Sequence, residues 1–368
     1  MRYTPEQRLK LREDCELVVP GHTEATPAQE FRALADWCER HGVGHDHYGE
    51  GKLVEGFERK VAALLGKPAA VFMPSGVMAQ SAAVKVWTEA ARLRRFGMHP
   101  TSHLATHEEE AWSALLHCHG VLVGDRLRPM LAKDLAASPQ PMACLLVELP
   151  IREAGGQLPV WDELEALKAA AQQRGIRLHM DGARLWESAA FYGKTHGEIA
   201  AGFDSVYVSV YKGIGALSGA VLAGPVDFIA HARLWRRRMG GTLYHLSPMV
   251  ASAAMRFDER LALMPALYSR ALDLAAALRE NCASLRVNPA VPQTSMFHLY
   301  FPAPADVVDD ARDAIAAQSR CWLFGGVRAA EVPGWSVAEI TVGDRLLHAE
   351  NARVVPLFAQ LAGALRPT

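Results

Sequence analysis

The chain has 368 residues, half of them hydrophobic and 21% charged, with a formal net charge of −1. That length exceeds one typical core and predicts two domains, while the balanced charge argues against nucleic acid or an anionic membrane as an electrostatic partner. The opening stretch, MRYTPEQRLKLREDCELVV, has no apolar segment of a secretory signal. No apolar run reaches the ~18 residues of a membrane span. Six cysteines without CxxC spacing fit a reducing compartment rather than a disulfide framework or zinc ribbon. A cytoplasmic location is therefore expected.

In chain order, residues 69–76 (AAVFMPSG) read as a strand entering a turn, and 77–92 as a helix. Residues 144–150 (CLLVELP) form a short apolar run ended by proline, the pattern of a buried strand. Residues 161–175 are an amphipathic helix closed by Gly175. Three further strands follow in IRLHMD, DSVYVSVY and GAVLAG. Strands separated by helices of this length predict parallel crossovers and a doubly wound α/β sheet. After about residue 245 the pattern changes to a long Ala/Leu-rich helix (249–284) and short strands near SMFHLYF and EITVG. The expected division is an N-terminal segment (1–42) packing on the small domain or a dimer partner, a large domain (43–245) and a smaller α+β domain (246–368).

Two residues carry the chemistry. Asp181 ends the apolar strand IRLHMD, and Lys212 follows the next strand 31 positions later in a glycine-rich turn, SVYKGIG. Carboxyl ends of successive strands in such a sheet face one crevice. A buried carboxylate beside a lysine is what pyridoxal 5′-phosphate (PLP) requires: an amine for its aldehyde and an anion opposite its pyridine nitrogen. Asp181 would be costly to bury without a cationic mate, and a desolvated Lys212 would have a lowered pKa. Ser75, Gly76 and Val77 open a helix after a strand, where backbone N–H groups hold phosphate. The histidine pairs His45/His47 and His117/His119 lack the companions of a four-ligand set, so no metal is expected.

Taken together and in order, these segments resemble the threonine aldolase and β-eliminating lyase family of PLP enzymes. The resemblance rests on VGHDHYGEG (43–51), FMPSGVMAQ (72–80), SHLATHE (102–108), EAGGQLPVWDELEAL (153–167), HMDGARLWESAAFYG (179–193) and FDSVYVSVYKGIGALSGAVLAG (203–224). It implies the aspartate aminotransferase-like fold, with a mostly parallel seven-stranded sheet and a homodimer or homotetramer. It implies Lys212 and Asp181 as the cofactor's lysine and acid, and Ser75, Gly76 and Val77 at the phosphate. His103 would stack on the ring and move protons, with His107 one helical turn later as a competitor. Arg184 would grip the carboxylate of an amino acid or amine substrate, assisted by Arg152, and Tyr48 would approach in its loop from near the dimer interface. The three arginines of WRRRMGG (235–241) could serve cross-subunit cofactor contacts or be a solvated helix end. The leading activity is retro-aldol cleavage of a β-hydroxy-α-amino acid to glycine and an aldehyde.

Several positions depart from the family pattern. Ile151 replaces a second histidine in ELPIR (148–152), Glu339 stands at a carboxylate-binding arginine, and Tyr244 lies in GGTLYH where an arginine is usual. A β-elimination, action on a different amine, or a non-catalytic PLP-binding role are the alternatives these departures leave open.

Overall fold

The computed structural model describes residues 3–365 as two compact units. Among these residues the larger comprises 25–153 and 158–263, and the smaller 3–24, 154–157 and 264–365. The boundaries thus fall at 24/25 and 263/264 rather than at 42/43 and 245/246. One reason is the 35-residue helix Ser247–Asn281, whose first half belongs to the larger unit and whose second half belongs to the smaller. By length and composition this helix could cross a membrane. Its Ala271, Leu274, Ala275 and Leu278 instead lie in the core of the smaller unit.

The larger unit holds a seven-stranded sheet: β1 (Ala69–Met73), β2 (Arg95–Met98), β3 (His119–Leu122), β4 (Cys144–Glu148), β5 (Arg177–Gly182), β6 (Ser205–Ser209) and β7 (Ala220–Gly224). Their spatial order is β1-β7-β6-β5-β4-β2-β3. Only β7 runs against its neighbours, being antiparallel to both β1 and β6. The carboxyl ends of the other six strands therefore share one edge. Strands β4, β6 and β7 are buried at every residue, as expected of a sheet covered on both faces. In the smaller unit, Met296–Phe301 pairs antiparallel with Ser336–Thr341 and Arg286–Asn288, and Val327–Ala329 completes a four-stranded sheet.

Candidate active site

A pocket opens at the carboxyl edge of the large sheet. Each strand delivers its chemistry just past its last residues. The turn after β1 leads into the helix Gly76–Ala90, capped by the Ser75 hydroxyl, which accepts from the Met78 amide at 3.2 Å. β2 leads to His103, β4 ends at Glu148, β5 carries Asp181 and β6 is followed by Lys212. Gly76, Val77, His103, Arg152, Asp181, Arg184 and Lys212 all line the one pocket. Gly76 has a steric reason to be glycine: a Cβ there would stand 2.2 Å from the Tyr207 hydroxyl oxygen.

Two expected residues are not among those lining it. Ser75 is occupied as the helix cap. Tyr48 is 51% exposed and sits edge-on against Tyr244. Its amide is held by the Tyr244 carbonyl at 2.9 Å, and its own carbonyl accepts from Arg236 at 3.4 Å. Arg236 also donates to the Phe72 carbonyl at 3.0 Å and is buried. This arginine of the triplet is therefore buried and tied to the backbone rather than solvated.

Asp181 is 2% exposed, and its carboxylate accepts from the Gln80 side-chain amide and from the Ala183 N–H. Both donors are neutral. Burial raises its pKa, and the nearby Lys212 charge, the Ala183 N–H and the Arg184 charge pull it back. Burial likewise lowers the Lys212 pKa, with Arg184 adding repulsion and Asp181 opposing it. Arg184 has no ion pair or side-chain hydrogen bond among the described residues, so its guanidinium is available to a ligand's carboxylate.

His103 and His107 both reach the pocket, with ring centroids 5.1 Å apart. They differ in their anchors. His103 Nδ1 lies 2.9 Å from the buried Glu108 carboxylate, which fixes the ring and leaves Nε2 for the pocket. His107 Nε2 lies 3.2 Å from Glu153, which also accepts from Arg152 at 3.3 Å. Ile151 is buried beside these residues in sequence and offers no proton.

Three carboxylates line the site without having been singled out in the sequence. Two are Glu108 and Glu153, held against the histidines. The third is Glu148, the register neighbour of Asp181 across β4 and β5. One Glu148 oxygen accepts from the Arg152 amide at 3.1 Å, and the other is buried without a partner. Burial, reinforced by the Asp181 charge, pushes its pKa up to about 8. The pair therefore shares close to one negative charge at neutral pH.

These residues fit PLP. The pocket combines a lysine of lowered pKa, a helix N-terminus approached closely through a glycine, and a buried carboxylate with only neutral donors on it. A carboxylate so placed suits a ligand that brings a positively charged N–H. Fold and pocket together define the class of PLP enzymes built on the aspartate aminotransferase-like fold. More narrowly, the chain belongs to the beta-eliminating lyase family, whose sequence pattern matches residues 24–303, and it is a PLP-dependent lyase.

Solved structures support this placement. One, assigned as an L-allo-threonine aldolase of Listeria monocytogenes EGD-E, is 35% identical, with a TM-score of 0.90 over 97% of this chain and 98% of that one. Another, assigned as an aromatic amino acid beta-eliminating lyase/threonine aldolase of Exiguobacterium sp. 255-15, is 36% identical, with a TM-score of 0.89 over 96% and 99%. Among curated relatives, the low specificity L-threonine aldolase of Escherichia coli K12 is 26% identical over 278 residues, 71% of this chain and 79% of that one.

Proposed function

We propose that this protein cleaves β-hydroxy-α-amino acids to glycine and an aldehyde, with PLP as cofactor. The observation that carries the reading is the convergence of Lys212, Asp181, Arg184 and His103 in one pocket. PLP, when bound, supplies an electron sink for the charge left on the substrate's α-carbon.

The protein's own groups do the rest. Lys212 would hold the cofactor at its aldehyde, and the lowered proton affinity that burial imposes favours the neutral, nucleophilic amine. Asp181, as an anion, would face the ring nitrogen and favour its protonated form. Arg184 binds the substrate carboxylate through paired N–H groups. His103 Nε2 takes the β-hydroxyl proton, and Glu108 at Nδ1 stabilises the imidazolium that results. Glu153 occupies the corresponding nitrogen of His107, which makes His107 the weaker candidate base. The relatives' names give threonine aldolase activity for those proteins, which supports the reading.

We further propose a homo-oligomer, dimer or tetramer. Tyr48, Tyr211, Leu217 and Tyr244 of the larger unit are large and exposed, a set that favours burial against another surface.

The test is to incubate the PLP-loaded protein with L-threonine, L-allo-threonine and phenylserine and to identify products. Glycine with acetaldehyde or benzaldehyde supports the reading. A keto acid with ammonia from the same substrates would replace it with β-elimination.

A further inference from the structure

Behind Asp181 lies a buried chain of polar groups that the cleavage chemistry does not use. The helix Gly76–Ala90 presents Gln80 and Trp87, seven residues and hence two turns apart, on one face. His179 and Asp181, two apart on β5, share one face of the sheet, and His179 is the register partner of Ser205 on β6. The Trp87 indole N–H donates to Ser205 Oγ at 2.8 Å. Ser205 Oγ lies 2.8 Å from His179 Nδ1, and His179 Nε2 lies 2.8 Å from Gln80 Oε1. Gln80 Nε2 reaches Asp181 Oδ2. Every member is buried, and His179 and Ser205 are fully so.

The direction of these bonds follows from the groups themselves. An indole N–H can only donate, so the Ser205 oxygen accepts it, and the acceptor within reach of the Ser205 proton is His179 Nδ1 at 2.8 Å. Burial pushes the His179 pKa down to about 3, so the ring is neutral, and with Nδ1 as acceptor its single proton sits on Nε2. That proton goes to the Gln80 carbonyl oxygen, which leaves the Gln80 NH₂ facing Asp181. The opposite direction would present the Gln80 oxygen to Asp181, which is compatible only with a protonated acid. It would also require the Nδ1–H tautomer and cost the Ser205 hydroxyl its imidazole acceptor.

We propose that Trp87, Ser205, His179 and Gln80 form a one-way hydrogen-bond relay that holds Asp181 as an anion, so that the His179 tautomer and the Asp181 charge are linked. The four are positioning residues for the acid opposite the cofactor's ring nitrogen, and in that respect the inference rests on the PLP reading. The groups facing Asp181 directly are Lys212, Arg184, His103, Glu148, Glu108 and the phenols of Tyr207 and Tyr211. None of them is altered in the test.

The test has two parts. Nitrogen-15 NMR of the cofactor-free protein, labelled at histidine, should show His179 as the Nε2–H tautomer at neutral pH, and the Nδ1–H tautomer would overturn the relay. In the PLP-loaded protein, Gln80→Met removes the donor to Asp181, so Asp181 takes up its proton at higher pH. The acid limb of the cofactor's visible absorbance, and of kcat, should move up by about one pH unit while KM changes less than about threefold. Trp87→Phe keeps the packing and should move the same limb in the same direction by a smaller amount. Superimposable pH profiles for wild type and both variants would overturn the proposal. Should the wild type fail to take up PLP, the proposed function falls, and the tautomer alone decides the relay.

Discussion

At Lys212 the side chain has one amine and no substitute in the pocket, so Lys212→Ala should abolish turnover. The loss would be read as absent product formation and as loss of covalent cofactor retention after borohydride treatment. Glu148 makes a different kind of prediction, about stability. Its folded pKa of about 8 lies above the ordinary carboxylate value, so the folded state prefers the protonated form. The stability this contributes is full below about pH 4 and is lost as pH rises toward 8. Replacing it with the neutral isostere, Glu148→Gln, should therefore stabilise the cofactor-free protein by roughly 1–3 kcal/mol at pH 9 and by little at pH 5. Thermal melts at the two pH values check this, and an equal effect at both would contradict the proton assignment. Glu148 was also within reach of sequence reasoning: it closes the apolar run LLVE as Asp181 closes IRLHM, and the same cost of burial applies. Glu108 gave no such signal, because it opens the run EEE, which reads as a solvated acidic patch.

At the level of elements, the helix Gly76–Ala90 works at both ends. Its first turn lines the pocket, and its body carries Gln80 and Trp87 toward the sheet. Ser75→Ala removes the cap on the Met78 amide and should cost about 1 kcal/mol of stability, measured by denaturant unfolding. The strands that sequence periodicity marks are the well-buried ones, β1 at one edge and β4, β5, β6 and β7 inside the sheet, found within two residues or so of their predicted limits except where a polar turn follows. β2 and β3 were not marked. They are four residues each, and β3, at the sheet edge, has no buried residue, so neither carries an apolar run long enough to stand out. The loop 43–51 matches its motif, and its backbone is tied to Tyr244 and Arg236. Motif matching reports which residues are present, whereas such tethers, and a partner surface where there is one, decide what each of them meets.

For the whole molecule, a dimer should elute with a mass near twice 40.1 kDa in light scattering, and a tetramer with four times that mass. A monomer at micromolar concentration would contradict the proposed assembly. PLP binds only the folded protein, so it should raise the melting temperature progressively with concentration. Lys212→Ala should retain only part of that rise, since the phosphate and ring contacts persist when the covalent bond cannot form.

The single reversed strand has a mechanical consequence. Because β7 returns beside β6, Lys212 sits in a ten-residue return rather than on a crossover helix. That return is braced by backbone bonds from Val210 to Gly219, Gly215 to Lys212 and Ala216 to Val210. The tether has almost no slack, and the amine's reach is set by loop length as much as by side-chain length. Inserting one residue after Tyr211 should leave the sheet intact by circular dichroism yet disengage the amine from the cofactor, a coupling absent from the longer connections that carry His103 and Arg152.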